Sequence, residues 1–162
     1  MPPIRFARVE SSLGIMWVAE SSVGVAACSG SATPDELLAG LRRRFPGGQP
    51  GLDDLDADWV DGALSGGPLP AVDLRGLSPF DAAVYEAVRG VPAGETVTYG
   101  EVAALAGSPG AARAVGGAMS RCPLFPAVPC HRVVRASDGW SGWGGDDRLK
   151  RRLLAAELLL RR

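Results

Sequence analysis

The sequence predicts an α+β fold in which a small N-terminal α/β lobe precedes a mostly helical C-terminal domain. Three apolar segments of strand length, residues 4–10, 15–19 and 23–28, follow one another with short polar turns between them. This pattern is typical of antiparallel strands. After residue 77, helix-start signals replace the strand pattern. We therefore expect two domains, residues 1–77 and residues 78–162.

A helix is predicted to follow these strands. Thr33 is a good N-cap and Pro34 suits the first helical position, with acidic residues in the first turn. The helix ends in Arg42, Arg43 and Arg44, and basic residues stabilise a helix C-terminus. We favour that interpretation over a nucleic-acid contact for this arginine run.

An acidic segment rich in Gly and Pro, residues 49–80, separates that helix from the C-terminal half. Five Asp residues lie between positions 53 and 61, a density that raises the question of a cation site. Their spacing does not match an EF-hand loop. A solvated acidic face, with a short helix within residues 53–64, is the favoured interpretation.

The C-terminal half begins with a capped helix and continues with two short helices joined by a turn. Ser78 and Pro79 begin a helix that runs to about Val88. Two further helices are predicted over residues 99–106 and 110–119, with Gly, Ser and Pro between them. Two short helices joined by a turn that contains glycine form the helix-turn-helix pattern.

The second of these helices is built almost entirely from small residues, with Arg113 as its only charged side chain. Two adjacent glycines, Gly116 and Gly117, each cost about 1 kcal/mol in a helix interior, so their presence calls for a reason. One explanation is close approach to a DNA groove, with Arg113 entering it. The other is tight packing against a neighbouring helix, with Arg113 exposed to solvent. The residues themselves leave both explanations open.

Charge and composition describe a globular protein whose two halves differ electrostatically. The net charge is −1, but residues 1–80 carry 6 Arg and 10 acidic residues, whereas residues 81–162 carry 11 basic and 8 acidic residues. A phosphate-binding surface is therefore expected in the second half. We see no apolar run of membrane-spanning length and no secretory signal pattern, and the cysteine count is odd. These features favour a reducing cytoplasm and no membrane association.

A reactive thiol is suggested by Cys130, which stands beside His131, the only histidine of the chain. Pro129 restricts the backbone that enters the cysteine, and Arg132 adds positive charge, which favours a thiolate. The alternative is a buried structural cysteine, the usual environment of a free thiol. A zinc site from the cysteines and His131 lacks the usual paired CxxC spacing.

The stretch 129–134 (PCHRVV) resembles the acceptor motif of the O6-alkylguanine-DNA alkyltransferases. Residues 98–103 (TYGEVA), 106–109 (AGSP) and 111–119 (AARAVGGAM) resemble the helix-turn-helix of the same family, and the resemblance extends over residues 78–157. It implies a winged helix-turn-helix-like C-terminal domain. It also implies a suicidal DNA repair enzyme, which moves the alkyl group of a flipped-out O6-alkylguanine in double-stranded DNA, or of O4-alkylthymine, onto a cysteine. Such a protein acts once, needs no metal or organic cofactor and is expected to be a monomer.

The resemblance also implies roles for individual residues. Cys130 is the alkyl acceptor, His131 the base that deprotonates it through a bound water, Glu157 the carboxylate that orients the imidazole, and Tyr99 a residue that rotates the target phosphate and protonates the leaving base. The implied DNA-binding residues are Arg113, Tyr99, Ala112, Gly116, Arg121 and Arg132. The implied substrate pocket consists of Met119, Val133, Trp143, Gly144 and Gly145.

Two positions depart from the family pattern. Cys122 stands where the family has an asparagine that hinges the recognition helix to the acceptor turn, and a thiol hydrogen-bonds only weakly. Trp143 stands where the family has a tyrosine, so the alkyl groups that fit the pocket are left open. Cys122 also places a second thiol near Cys130, where the two could form a disulfide.

Two other functions compete with alkyl transfer. One is a protein of the same fold that binds alkylguanine without transfer, although such relatives replace the cysteine that this chain keeps at Cys130. The other is a thiol hydrolase that uses Cys130 and His131. Adjacent side chains rarely face each other as a hydrolytic dyad requires, and this alternative leaves the helix-turn-helix unexplained.

Overall fold

The computed structural model describes residues 3–137 and 147–160. Within them the chain is α+β, as predicted. The strands are β1 (Ile4–Ser11), β2 (Gly14–Glu20), β3 (Val25–Ser29), β4 (Pro50–Leu52), β5 (Val97–Thr98) and β6 (Val133–Val134). The α-helices are α1 (Pro34–Arg44), α2 (Trp59–Leu64), α3 (Pro79–Arg89), α4 (Tyr99–Leu105), α5 (Ala112–Ser120) and α6 (Asp147–Leu159).

The chain divides into two compact units. The first unit consists of Met1–Ala63, Pro68–Leu77 and Pro123–Ala127, and the second of Leu64–Gly67, Ser78–Cys122 and Val128–Arg162. The units differ from the expected domains, 1–77 and 78–162, in two short segments. Residues 123–127 join the first unit because the Cys28 amide donates to the Pro123 carbonyl at 2.7 Å.

The first unit contains a four-stranded sheet with the strand order β3-β2-β1-β4. The three predicted strands pair antiparallel, β1 with β2 and β2 with β3. β4 was not predicted, and it pairs parallel with the free edge of β1. The apolar face of the sheet packs on α1, whose Thr33 N-cap and Glu36 form the capping box that its sequence favours. Their shared core consists of Ile4, Phe6, Ala19, Ala26, Ala27, Leu37, Leu41 and Phe45.

The second unit is mostly helical, and α4 and α5 form the predicted helix-turn-helix. Ser78 caps α3 and Thr98 caps α4, each accepting a hydrogen bond from a backbone amide of the first turn. α5 begins at Ala112 rather than at residue 110, because Gly110 has a φ of +87°, which a right-handed helix excludes. β5 and β6 form a short parallel pair beside these helices. Among the described residues, no helix is both long enough and apolar enough to cross a membrane.

Candidate active site and DNA-binding surface

Cys130 and His131 lie on a single turn of 3₁₀ helix, Cys130–Arg132, that starts directly after Pro129. The Arg132 amide donates to the Pro129 carbonyl at 3.0 Å, which closes the turn. The chain then enters β6, where Val133 pairs with Val97 of β5. The backbone on both sides is therefore fixed, and both side chains are buried, with Cys130 2% and His131 0% exposed.

Glu157 reaches this turn from α6. The Nε2 atom of His131 lies 2.6 Å from Oε1 of Glu157, and both side chains are completely buried. Two residues that are 26 positions apart in the sequence are thus in direct contact, as the resemblance implied. An ionised carboxylate can only accept hydrogen bonds, so Nε2 carries the proton of this bond.

Arg132 is a third member of this buried cluster. Its Nη2 and Nε atoms donate to Glu157 at 2.8 and 3.0 Å, and its Nη1 donates to the Val91 carbonyl at 2.9 Å. The side chain is 3% exposed, so its guanidinium cannot reach a phosphate group. The structure therefore corrects the prediction that Arg132 contacts DNA. In the sequence, Arg132 stands between a Cys-His pair and two valines. These apolar and rarely exposed neighbours were the signal for an arginine that faces the interior.

The ionisation states follow from these contacts. Burial by itself raises the pKa of Glu157, but hydrogen bonds from His131 and Arg132 outweigh it and bring this pKa to about 2. Burial lowers the pKa of His131, and the bond to Glu157 offsets this only in part. Near neutral pH the cluster therefore contains a carboxylate, a guanidinium and a neutral imidazole whose basic nitrogen is Nδ1.

The Cys130 thiol is held in its protonated form. A hydrogen bond with the Cys122 thiol raises its pKa, and burial raises the pKa further. The charge of Lys150 acts in the opposite direction. Lys150 itself is 1% exposed, and its ammonium group donates to the Val133 carbonyl. The sequence analysis did not identify this buried positive charge near the thiol.

α5 presents the features expected of a surface that contacts DNA. Val115, Ala118 and Met119 face the interior, whereas Arg113 is exposed. A Cβ atom added to Gly116 would meet no atom within 4 Å in the part of the chain that the structure describes. Packing against a described helix therefore does not explain this glycine, and the small outward surface of α5 is open to a partner.

The other residues expected at the DNA surface lie at the ends of these helices. Tyr99 is the first residue of α4 and is half-buried. Ala112, at the start of α5, is half-buried as well. The Arg121 side chain, which follows α5, is 61% exposed and forms an ion pair with Asp81 at 2.9 Å. Each of these positions is accessible from solvent to some degree, in contrast with Arg132.

The predicted substrate pocket is only partly described. Met119 and Val133 are both buried, at 6% and 0% exposure. Trp143, Gly144 and Gly145 lie outside the described residues. Within residues 3–137 and 147–160, no group of three or more His, Cys, Asp or Glu side chains is arranged to hold a metal ion.

Comparison with known proteins agrees with this geometry. Residues 79–159 match the family described as 6-O-methylguanine DNA methyltransferase, DNA binding domain. A methylated-DNA–protein-cysteine methyltransferase of Mycolicibacterium paratuberculosis is 50% identical over 86 residues, which cover 53% of this chain and 52% of the relative. One from Salmonella typhimurium is 39% identical over 111 residues, which cover 66% of this chain and 62% of the relative. The chain thus spans only about half to three-fifths of these curated relatives.

Solved structures extend the likeness to nearly the whole chain. The crystal structure of Mycobacterium tuberculosis OGT in complex with DNA has a TM-score of 0.73 and 31% identity, and the match covers 96% of this chain and 93% of that one. The O6-methylguanine-DNA methyltransferase of Pyrococcus kodakaraensis has a TM-score of 0.68 and 25% identity, over 95% and 98% of the two chains. Both units therefore have counterparts in these structures.

Proposed function

Because the chain belongs to the 6-O-methylguanine DNA methyltransferase family, we propose that it repairs DNA by accepting the alkyl group of O6-alkylguanine onto Cys130. The observation that carries this proposal is the buried contact between His131 and Glu157 beside the thiol, at 2.6 Å. A cysteine that only fills the core requires no such pair. The helix-turn-helix of the same unit supplies a surface to which DNA can bind.

The proton relay runs from the thiol to the imidazole. Glu157 accepts from Nε2 and holds the neutral ring in one orientation, which leaves Nδ1 as the base. Nδ1 takes the Cys130 proton through one water molecule, as the family resemblance implies. The resulting imidazolium is stabilised by the Glu157 carboxylate, and the Lys150 charge favours the thiolate.

The chemical step is an in-line displacement at the alkyl carbon. The thiolate forms a carbon–sulfur bond, the bond between that carbon and O6 breaks, and the electron pair leaves with guanine. Tyr99 donates a proton to the leaving base. Water does not hydrolyse the resulting thioether, so each molecule acts once. No cofactor takes part in the step.

DNA is bound by the outward face of α5. The base must leave the stack, because a protein thiol cannot reach the alkyl carbon inside a duplex. Arg113 enters the duplex from the small surface formed with Ala112 and Gly116 and occupies the space of the flipped base. Arg121 releases Asp81 and forms an ion pair with a phosphate group of the DNA backbone instead. We further propose that the protein works as a monomer in the cytoplasm.

Intact-protein mass spectrometry tests this function. After incubation with duplex DNA that contains O6-methylguanine, we expect the protein mass to rise by one methylene, about 14 Da. Cys130→Ser should show no increase, whereas Cys28→Ala, which removes a buried thiol of β3, should gain the same mass as the unmodified chain. Binding to the lesion without a mass change would instead support a protein that recognises alkylguanine and does not repair it.

A further inference from the structure

Arg121 follows the last turn of α5, and its guanidinium turns back towards α3. The Arg121 amide donates to the Gly117 carbonyl at 3.1 Å, so the residue continues the turn of the helix. Its Nη2 atom donates to Oδ1 of Asp81 at 2.9 Å. Asp81 belongs to the first turn of α3, 40 positions earlier in the chain. The ion pair therefore joins the end of α5 to the start of α3 within the second unit.

Gly117 makes room for this arrangement. A Cβ atom added to Gly117 would lie 3.0 Å from Nη1 of Arg121, closer than ordinary van der Waals contact. The guanidinium therefore lies over the backbone of α5 at this glycine. The two adjacent glycines of α5 thus have different surroundings, since Gly116 faces open space among the described residues and Gly117 faces the arginine. The packed arginine explains the second glycine, and an outward face open to a partner explains the first.

The carboxylate is the fixed member of this ion pair. The side chain of Asp81 is 13% exposed, whereas that of Arg121 is 61% exposed. The helices α3 and α5 are also joined by the buried hydroxyl of Tyr85, which donates to the Ala118 carbonyl at 2.7 Å. That bond does not involve Arg121, so Asp81 keeps its position when the arginine leaves. The long, exposed arginine side chain is the member that can turn towards another anion.

We propose that Asp81 competes with the phosphate groups of DNA for Arg121, and that this competition lowers the affinity of the protein for duplex DNA. Arginine binds carboxylate and phosphate oxygens with the same planar set of N–H groups, so the two anions exclude each other. DNA binding therefore breaks the ion pair with Asp81 when Arg121 pairs with a phosphate group. Because an exposed ion pair contributes little, the expected decrease in affinity is about two- to fivefold.

The competition affects undamaged DNA as much as damaged DNA. A phosphate contact carries no information about the base, so Asp81 weakens binding at every site along a duplex. For a protein that is consumed by one repair, weaker binding to undamaged DNA means that fewer molecules are held where there is no lesion. This consequence, and the placement of Arg121 at the DNA backbone, rest on the proposed function. The ion pair with Asp81 does not.

Binding to undamaged DNA tests the competition without any assay of repair. The dissociation constant is measured from the fluorescence anisotropy of a labelled duplex in about 0.1 M salt. We expect Asp81→Asn to bind about two- to fivefold more tightly than the unmodified chain. Glu86→Gln removes an exposed carboxylate of the same helix that is not bonded to Arg121, and its affinity should stay within about 1.5-fold. In Arg121→Ala, which should bind more weakly, adding Asp81→Asn should change the affinity no more than Glu86→Gln does.

Two results overturn the proposal. In the first, Asp81→Asn binds no more tightly than Glu86→Gln, and in the second its gain in affinity is the same with and without Arg121. Circular dichroism verifies that each variant is folded, and Asp81→Ser takes the place of Asp81→Asn if the latter is not.

The mass gain on O6-methylguanine DNA, measured in parallel, separates the two hypotheses. Transfer by a protein whose affinity for DNA does not respond to Asp81→Asn contradicts the competition alone. Tighter binding by Asp81→Asn without any transfer to Cys130 contradicts the repair function alone. Absence of DNA binding in every variant contradicts both.

Discussion

The two units each bury a carboxylate beside an arginine, but the surroundings of the two carboxylates differ. In the first unit, Asp73 accepts from Arg75 at 2.6 and 2.9 Å and from the Ser21 hydroxyl at 2.5 Å. In the second unit, Glu157 accepts from Arg132 and also from His131. Burial raises the pKa of each carboxylate, but the hydrogen bonds prevail and leave both pKa values at about 2.

A low carboxylate pKa is therefore not by itself a sign of catalysis. Asp73 ties its loop to α1 and β3: its backbone carbonyl accepts from Arg44, and its amide donates to the Val25 carbonyl at 2.8 Å. Glu157 differs in that one of its partners is an imidazole on the turn that carries a thiol. The histidine, rather than the ion pair, distinguishes the candidate catalytic cluster from the structural one.

Removing the charge of Glu157 should have the largest effect. In Glu157→Gln the imidazole loses its acceptor and Arg132 stays buried without an anion. We expect single-turnover transfer to fall by about 10²- to 10⁴-fold and the free energy of unfolding to fall by about 3–5 kcal/mol. Stopped-time transfer assays and urea unfolding measure the two effects. A folded variant that transfers at the original rate would show that His131 works without Glu157.

The matching change in the first unit should affect stability alone. Asp73→Asn removes the anion that faces Arg75, but water can solvate the half-exposed guanidinium. We therefore expect a smaller loss, about 1–2 kcal/mol in urea unfolding, from the weakened hydrogen bonds of the side chain. The transfer rate of the folded fraction should stay within about twofold, because no partner of Asp73 belongs to the candidate site. A decrease in rate similar to that of Glu157→Gln would remove the distinction between the two carboxylates.

Acid should destabilise the protein through both carboxylates. Their folded pKa values, about 2, lie below the ordinary values of 3.8 for Asp73 and 4.5 for Glu157. The stability they contribute is therefore complete above about pH 4.5 and is lost as the pH falls towards 2. Each contributes at most about 2–3 kcal/mol over this window. Urea unfolding at several pH values should show a shallower slope in Asp73→Asn, and an unchanged slope would contradict the lowered pKa of Asp73.

The local elements could be predicted because their signals are local. Thr33 and Ser78 each start a helix by accepting a bond from an amide three residues away, and those predicted caps are present. β4 was missed because three residues, Pro50–Leu52, carry no strand pattern of their own and pair only because β1 offers an edge. The family and the α+β class were also predicted correctly, since the motifs around Cys130 and in the helix-turn-helix are continuous in sequence.

The sequence alone determined the thiol, its neighbouring histidine and the helices that flank them, because capping, turn chemistry and motif spacing depend on residues close together in the chain. Only the tertiary structure decided which way Arg132 faces. The family resemblance implied a contact with DNA, but Arg132 is buried and pairs with the opposite charge of Glu157. That partner is available only once α6 packs on the turn.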